Sequence, residues 1–261
     1  MERGILCAGQ VLAGTDWCRR DPDAWWDPEV DADRYQLRVR DMQDEPVDLL
    51  VGHWTAGEAG LRSYDDDGAR LVEMMKRRPS RKRPGERLRV SIQFVVGACS
   101  PIADFAPVWQ TMEIGTKWSA VHVGRGEVNA RSLGVEVVSA GLPGEFNSRH
   151  RAGERVFQLG RYRDVLEFFP GQIRSFVRLA NALSNRCLPG AIEIPRRAPI
   201  ELDGMRAARP LSRRFTRGEL RHWKGAMEHF HMDATTKLDA GTLLIAALLD
   251  NGWSGVRIRL R

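Results

Sequence analysis

A nearly continuous apolar run at residues 47–52 (Val-Asp-Leu-Leu-Val-Gly) predicts a strand buried on both faces, and residues 90–97 (Val-Ser-Ile-Gln-Phe-Val-Val-Gly) predict a second apolar strand. Residues 108–112 predict a strand pairing nearby, and residues 132–138 (Ser-Leu-Gly-Val-Glu-Val-Val) another, in which β-branched neighbours surround Glu136. Shorter strands are expected at 11–14 and at 34–40, the latter alternating cleanly between apolar and polar positions. Elsewhere the period lengthens. Leu71, Met74 and Met75 face inward from a helix over 66–77 that Pro79 ends. Ile173, Phe176, Val177, Ala180 and Leu183 form one face of a packing helix over 172–183. Residues 242–249 predict a short helix stopped by Asn251-Gly252. Three stretches lack either period. Residues 21–33 read as an ordered loop over the core with Trp25 and Trp26 packed rather than offered to a sugar. Residues 141–169 read as a polar, arginine-rich overhang, and 189–214 as a long loop punctuated by proline.

The chain has 261 residues, 43% of them hydrophobic, which fits one large domain with extensions and a real core. We find no internal repeat and no linker to a second domain. No run approaches the roughly 18 apolar residues of a membrane helix, which argues against membrane insertion. Residues 4–14 are too rich in glycine and too weakly apolar for a clear signal peptide, so the chain is expected to be made in the cytoplasm. Cys7, Cys18, Cys99 and Cys187 show no tight spacing and read as unpaired thiols. The net charge of +6 implies attraction to polyanions, for which cell-wall polymers and nucleic acid both qualify, or simply an arginine-rich basic surface. No nucleic-acid motif accompanies it. Eight basic residues fall between Lys76 and Arg89, in a loop centred on Pro-Ser-Arg-Lys-Arg-Pro-Gly. Its functional reading is contact with anionic wall polymer; the plainer one is a solvated loop.

The candidate chemistry centres on His229, Lys237 and Asp239. A histidine and a carboxylate ten residues apart suit a first-row metal such as zinc, and the lysine between them supplies charge without competing as a ligand. A catalytic zinc needs a third protein ligand, and His53, at the carboxyl end of the 47–52 strand, is the best candidate. Glu136, among apolar residues, needs a partner or a raised pKa.

These stretches resemble the motifs of the type 2 N-acetylmuramoyl-L-alanine amidases, zinc hydrolases of bacterial peptidoglycan related to peptidoglycan-recognition proteins. His53-Trp54-Thr55-Ala56-Gly57 is similar to the family's His-x-Thr-Ala-Gly. His229 followed by Lys237, Asp239 and Gly241 resembles its Gly-His and Lys-x-Asp-Pro-Gly, with Glu228 in place of glycine and Ala240 in place of proline. Trp118 to Gly124 and Asn129 to Glu136 resemble the Trp-His-Ala-Gly and Asn-x-x-Ser-Ile-Gly-Ile-Glu blocks. A catalytic tyrosine of some members is absent from Ser91-Ile92-Gln93-Phe94, which points to the branch that uses a carboxylate.

The resemblance implies an α/β fold, a single domain at residues 46–261 with a central mixed β-sheet flanked by helices and a zinc site at one end of the sheet. Residues 1–45 would form an extension packed on it. It further implies Zn2+ held by His53, His229 and Asp239, catalysis by Glu136 and Lys237, and substrate contacts from Trp54, His122 and Asn129. The substrate would be peptidoglycan or a muropeptide, cut between N-acetylmuramic acid and L-alanine. A phage- or prophage-type lytic enzyme, delivered to the wall by another protein, fits the charge. A cytoplasmic muropeptide-recycling amidase and a non-catalytic peptidoglycan-binding module are the alternatives.

Overall fold

The computed structural model describes residues 1–26, 31, 35–37, 46–55, 67–78, 85, 90–100, 102–116, 118–123, 125–139, 156–159, 163–166, 168–184, 192–202, 207–232 and 242–258. Its centre is a seven-stranded sheet. In chain order the strands are β1 (Glu2–Arg3), β2 (Cys18–Arg20), β3 (Leu49–Trp54), β4 (Phe94–Val96), β5 (Val108–Gln110), β6 (Ser132–Val137) and β7 (Gly225–Glu228). Their spatial order is β1-β2-β5-β4-β6-β3-β7. The β4, β6, β3 and β7 strands run parallel to one another, while β5 opposes β4, so the sheet is mixed as expected. The first residues of the chain complete it: β2 pairs in parallel with β5, and β1 lies outside β2.

Every residue of β3 is buried, which the run Leu-Leu-Val-Gly-His-Trp allows because both faces meet apolar layers. Leu50 and Trp54 face a core shared with α3 (Pro170–Ser184) and α5 (Leu243–Asp250). Leu49 and Val51 face a second cluster with Val128, Leu220 and Met227. The latter lies under the short helices α2 (Gly126–Ala130) and α4 (Arg217–His222). A third cluster seats α1 (Asp67–Arg77) through Leu71, Val72 and Met75 against Trp109 of β5. Gly68 permits that contact, since a Cβ there would lie 2.4 Å from the indole. Trp26 is fully buried in the same cluster. Cys7, Cys18 and Cys99 are buried, and burial pushes the Cys18 thiol up to about 12 and the Cys99 thiol up to about 11. Cys187 lies outside the described residues.

The pattern understated two regions. The 141–169 stretch contains an antiparallel pair, Val156–Leu159 with Arg163–Leu166. Arg197–Leu202 of the expected loop is the middle strand of a three-stranded sheet, between Ala208–Pro210 and Ser254–Arg257. Among the described residues no helix is long and apolar enough to cross a membrane.

Candidate active site

Parallel strands carry their carboxyl ends to one edge, and the site forms at that edge of β3, β6 and β7. The sequence places His53 just beyond its strand; in the structure it lies within β3, because pairing continues to Val137 and Trp54. Glu136 stands opposite His53 in register. Registered residues of parallel strands project from the same face, so the carboxylate and the imidazole are neighbours. His229 follows β7 directly, as the first residue of a single 3-10 turn, His229–His231.

Three histidines that are far apart in sequence meet here, His53 being 2%, His122 7% and His229 7% exposed. His53 Nδ1 lies 3.1 Å from His229 Nδ1, and His53 Nε2 lies 3.0 Å from His122 Nδ1. The outer nitrogen of His122 meets Ser132 Oγ at 2.9 Å. Burial, and then the charges His53 and His229 would carry, hold His122 well below the ordinary histidine range.

The ring of His122 sits over Gly134 of β6, where a Cβ would come within 2.7 Å of it. Asn129 clamps the preceding loop: its Oδ1 accepts the N–H groups of His122 and Val123 at 3.2 and 3.0 Å, and its Nδ2 donates to Val123 O at 3.1 Å. Asn129 and Trp54 are both buried, the first in this clamp and the second in the main core.

Glu228, which replaces the usual glycine beside His229, is fully buried. Its Oε1 accepts the N–H groups of Leu244 and Ile245 at 2.8 and 3.1 Å and so satisfies the first turn of α5. His231 is committed as well: Nε2–H donates to Leu211 O at 2.9 Å, and Nδ1 accepts the N–H of Glu228 at 3.1 Å. Burial pushes His231 down to about 4.

The paired Nδ1 atoms fit a metal. Two imidazoles on one tetrahedral zinc, at roughly 2.05 Å each, stand about 3.3 Å apart, close to the 3.1 Å between His53 and His229. Among the described residues no group of three or more His, Cys, Asp or Glu is arranged to hold a metal ion. The expected third ligand, Asp239, and the expected catalytic Lys237 lie outside the described residues, as do 79–84 and 86–89 of the basic loop. Sequence reasoning did not single out Ser132. The available signal was a serine, a glycine and a glutamate at alternate positions of one otherwise apolar strand, which puts all three on one face.

A family model for N-acetylmuramoyl-L-alanine amidases matches residues 43–200, a span that includes His53, His122, Ser132 and Glu136. None of the curated protein sequences matches the chain. Among solved structures the chain is similar to the Escherichia coli N-acetylmuramyl-L-alanine amidase AmiD in complex with anhydro-N-acetylmuramic acid-L-Ala-D-gamma-Glu-L-Lys. The match has 19% identity and a TM-score of 0.33, and covers 54% of this chain and 44% of that one.

Proposed function

Because this chain belongs to the N-acetylmuramoyl-L-alanine amidase family, we propose that it hydrolyses the amide between N-acetylmuramic acid and L-alanine of peptidoglycan in a zinc-dependent reaction. The observation that carries the reading is the convergence of His53 Nδ1 and His229 Nδ1 beside Glu136 at one edge of the sheet. His53, His229 and Asp239 would hold the ion. Zinc, when bound, supplies a Lewis acid and acidifies a water to near neutral pH. Glu136 accepts the proton of the attacking water and returns one to the leaving amine of L-alanine. The ammonium of Lys237 balances the oxyanion that develops on the carbonyl oxygen.

The basic surface, at a net charge of +6, favours intact wall over soluble fragments and with it a phage- or prophage-type lytic role. The test is incubation with purified sacculi and with soluble muropeptides, reading product masses. Release of stem peptides with a free L-alanine amino terminus from sacculi supports the reading. Cleavage of soluble muropeptides alone replaces the lytic role with a recycling one. Binding with no cleavage, by zinc-loaded protein, overturns the enzymatic reading.

A further inference from the structure

Building on the reading of His53 and His229 as metal ligands, we propose that Ser132 and His122 are positioning residues that fix His53 in one tautomer, with its lone pair at Nδ1 and directed toward His229. A neutral imidazole carries its proton on one nitrogen and its lone pair on the other, and the partner of the outer nitrogen decides which is which. For His53 that choice is made two residues away. Ser132 Oγ donates its single proton to the carbonyl of Val128 at 2.7 Å. Its 2.9 Å contact with His122 Nε2 therefore requires the imidazole to donate. With its proton at Nε2, His122 presents the lone pair of Nδ1 to His53 Nε2, which lies 3.0 Å away. So His53 donates from Nε2 and keeps its lone pair on Nδ1, the atom 3.1 Å from His229.

Each member of this relay is held from outside it. Ser132 is paired in register with Leu49 at the start of β6 and is 1% exposed. The ring of His122 rests in the space that Gly134 leaves, and its backbone is gripped by Asn129. The ring planes of His53 and His122 stand at 86° with centroids 5.2 Å apart, and the contact between them is nitrogen to nitrogen at 3.0 Å, a hydrogen-bond distance. Metal-bound histidines most often donate their second N–H to a carboxylate or a backbone carbonyl. Here the acceptor is an imidazole nitrogen, so the relay orients His53 without a carboxylate behind it. The three-residue spacing from Asn129 to Ser132 puts the clamp and the end of the relay in one short segment. The strand that begins at Ser132 also carries Gly134 and Glu136, which join ring placement to the proposed base on one element.

The experiment uses metal-free full-length protein labelled with 15N-histidine, with tautomers read from long-range 1H–15N correlations. In wild type, His53 and His122 should both be Nε2–H tautomers. Ser132→Ala should shift both toward mixtures, and Ser132→Thr, which keeps the hydroxyl, should restore them. Zinc affinity, measured by competition with a chromophoric chelator, should fall by about 10–100-fold in Ser132→Ala, the range typical of lost outer partners of metal ligands. It should stay near the wild-type value in Ser132→Thr. An Nδ1–H tautomer of His53 in wild type overturns the proposal, and so do unchanged tautomers and zinc affinity in Ser132→Ala. Relay tautomers in a wild-type protein that binds no zinc would uphold the relay and refute the metal reading instead.

Discussion

His229 and His231 stand two residues apart, and their hydrogen bonds set them different tasks. Both nitrogens of His231 serve backbone groups, and its ring stacks on Phe215 with centroids 5.4 Å apart. Removing that ring strands two buried backbone groups, at about 1–3 kcal/mol each, and leaves a cavity. Compared as metal-free proteins, His231→Ala should therefore melt several degrees below wild type and His229→Ala should change less, while on addition of zinc His231→Ala should bind the ion and His229→Ala should not. The reverse result, read from metal content and calorimetry on the same preparations, would reassign the ligand. The spacing to Lys237 and Asp239 already favoured His229 in the sequence. In the structure both nitrogens of His231 are engaged with backbone groups. Glu136 is the second test at this scale. Glu136→Gln preserves size, cannot accept a proton, and alters no proposed ligand. Amide hydrolysis should fall by roughly 10²–10⁴-fold, the usual contribution of a general acid–base group. Near-normal turnover with full zinc would make Glu136 structural. What the sequence concealed at this scale was the role of Ser132, because a small hydroxyl at the start of a strand carries no sign of the ring it will meet.

Elements with one strong period were legible, and those with conflicting signals were not. The continuous apolar runs of β3 and β6 and the helical faces of α1 and α3 follow directly from their spacing. Arg197–Leu202 was hidden by Pro199, which argues against an interior strand because it lacks an N–H. The strand forms nonetheless, with Ala198 and Ile200 buried and the carbonyl of Pro199 accepting the N–H of Leu211 at 3.0 Å. The short helix α4 shows how side chains can secure an element with little helical period. Thr216 Oγ1 accepts the N–H of Glu219, and the Glu219 carboxylate accepts the N–H of Thr216. Arg213 grips the same carboxylate at 2.8 and 2.9 Å. The Arg213 contact, assisted by Thr216 and opposed by burial, lowers Glu219 from 4.5 to about 2. A carboxylate whose folded pKa is depressed adds stability above its unfolded value, and that stability disappears as pH falls toward the folded value. In metal-free protein the melting temperature of wild type should thus fall more steeply between pH 4.5 and 2 than that of Glu219→Gln. Parallel curves through that window would show that the capping pair contributes nothing to the acid limb.

The whole molecule assembles what no local stretch contains. His53 and His229 are 176 residues apart in sequence, yet parallel pairing on either side of β3 brings their ring nitrogens to 3.1 Å. The order of the motifs was readable along the chain. The register that joins them was not, because long-range pairing between buried strands is decided by packing across the sheet and leaves no local mark. Nor did the pattern show that β1 and β2 extend the sheet, since each is short and polar at its surface. The distance between the two proposed ligands has a thermodynamic consequence. An unfolded chain holds His53 and His229 far apart on average, so zinc bound by both binds the folded state almost alone. A ligand of that kind at 100 times its dissociation constant stabilises by about 2.7 kcal/mol. For a domain of this size each kcal/mol raises the melting temperature by roughly 2–4 °C. Chelator-treated protein should therefore gain about 5–10 °C when zinc is restored to that level. The gain should vanish in His229→Ala, where one of the two converging nitrogens is gone, and be much reduced in Asp239→Ala. Magnesium, which prefers oxygen ligands in octahedral geometry, should not replace zinc. A wild-type melting temperature indifferent to zinc over the whole titration would refute the metal centre, whatever the family to which the chain belongs.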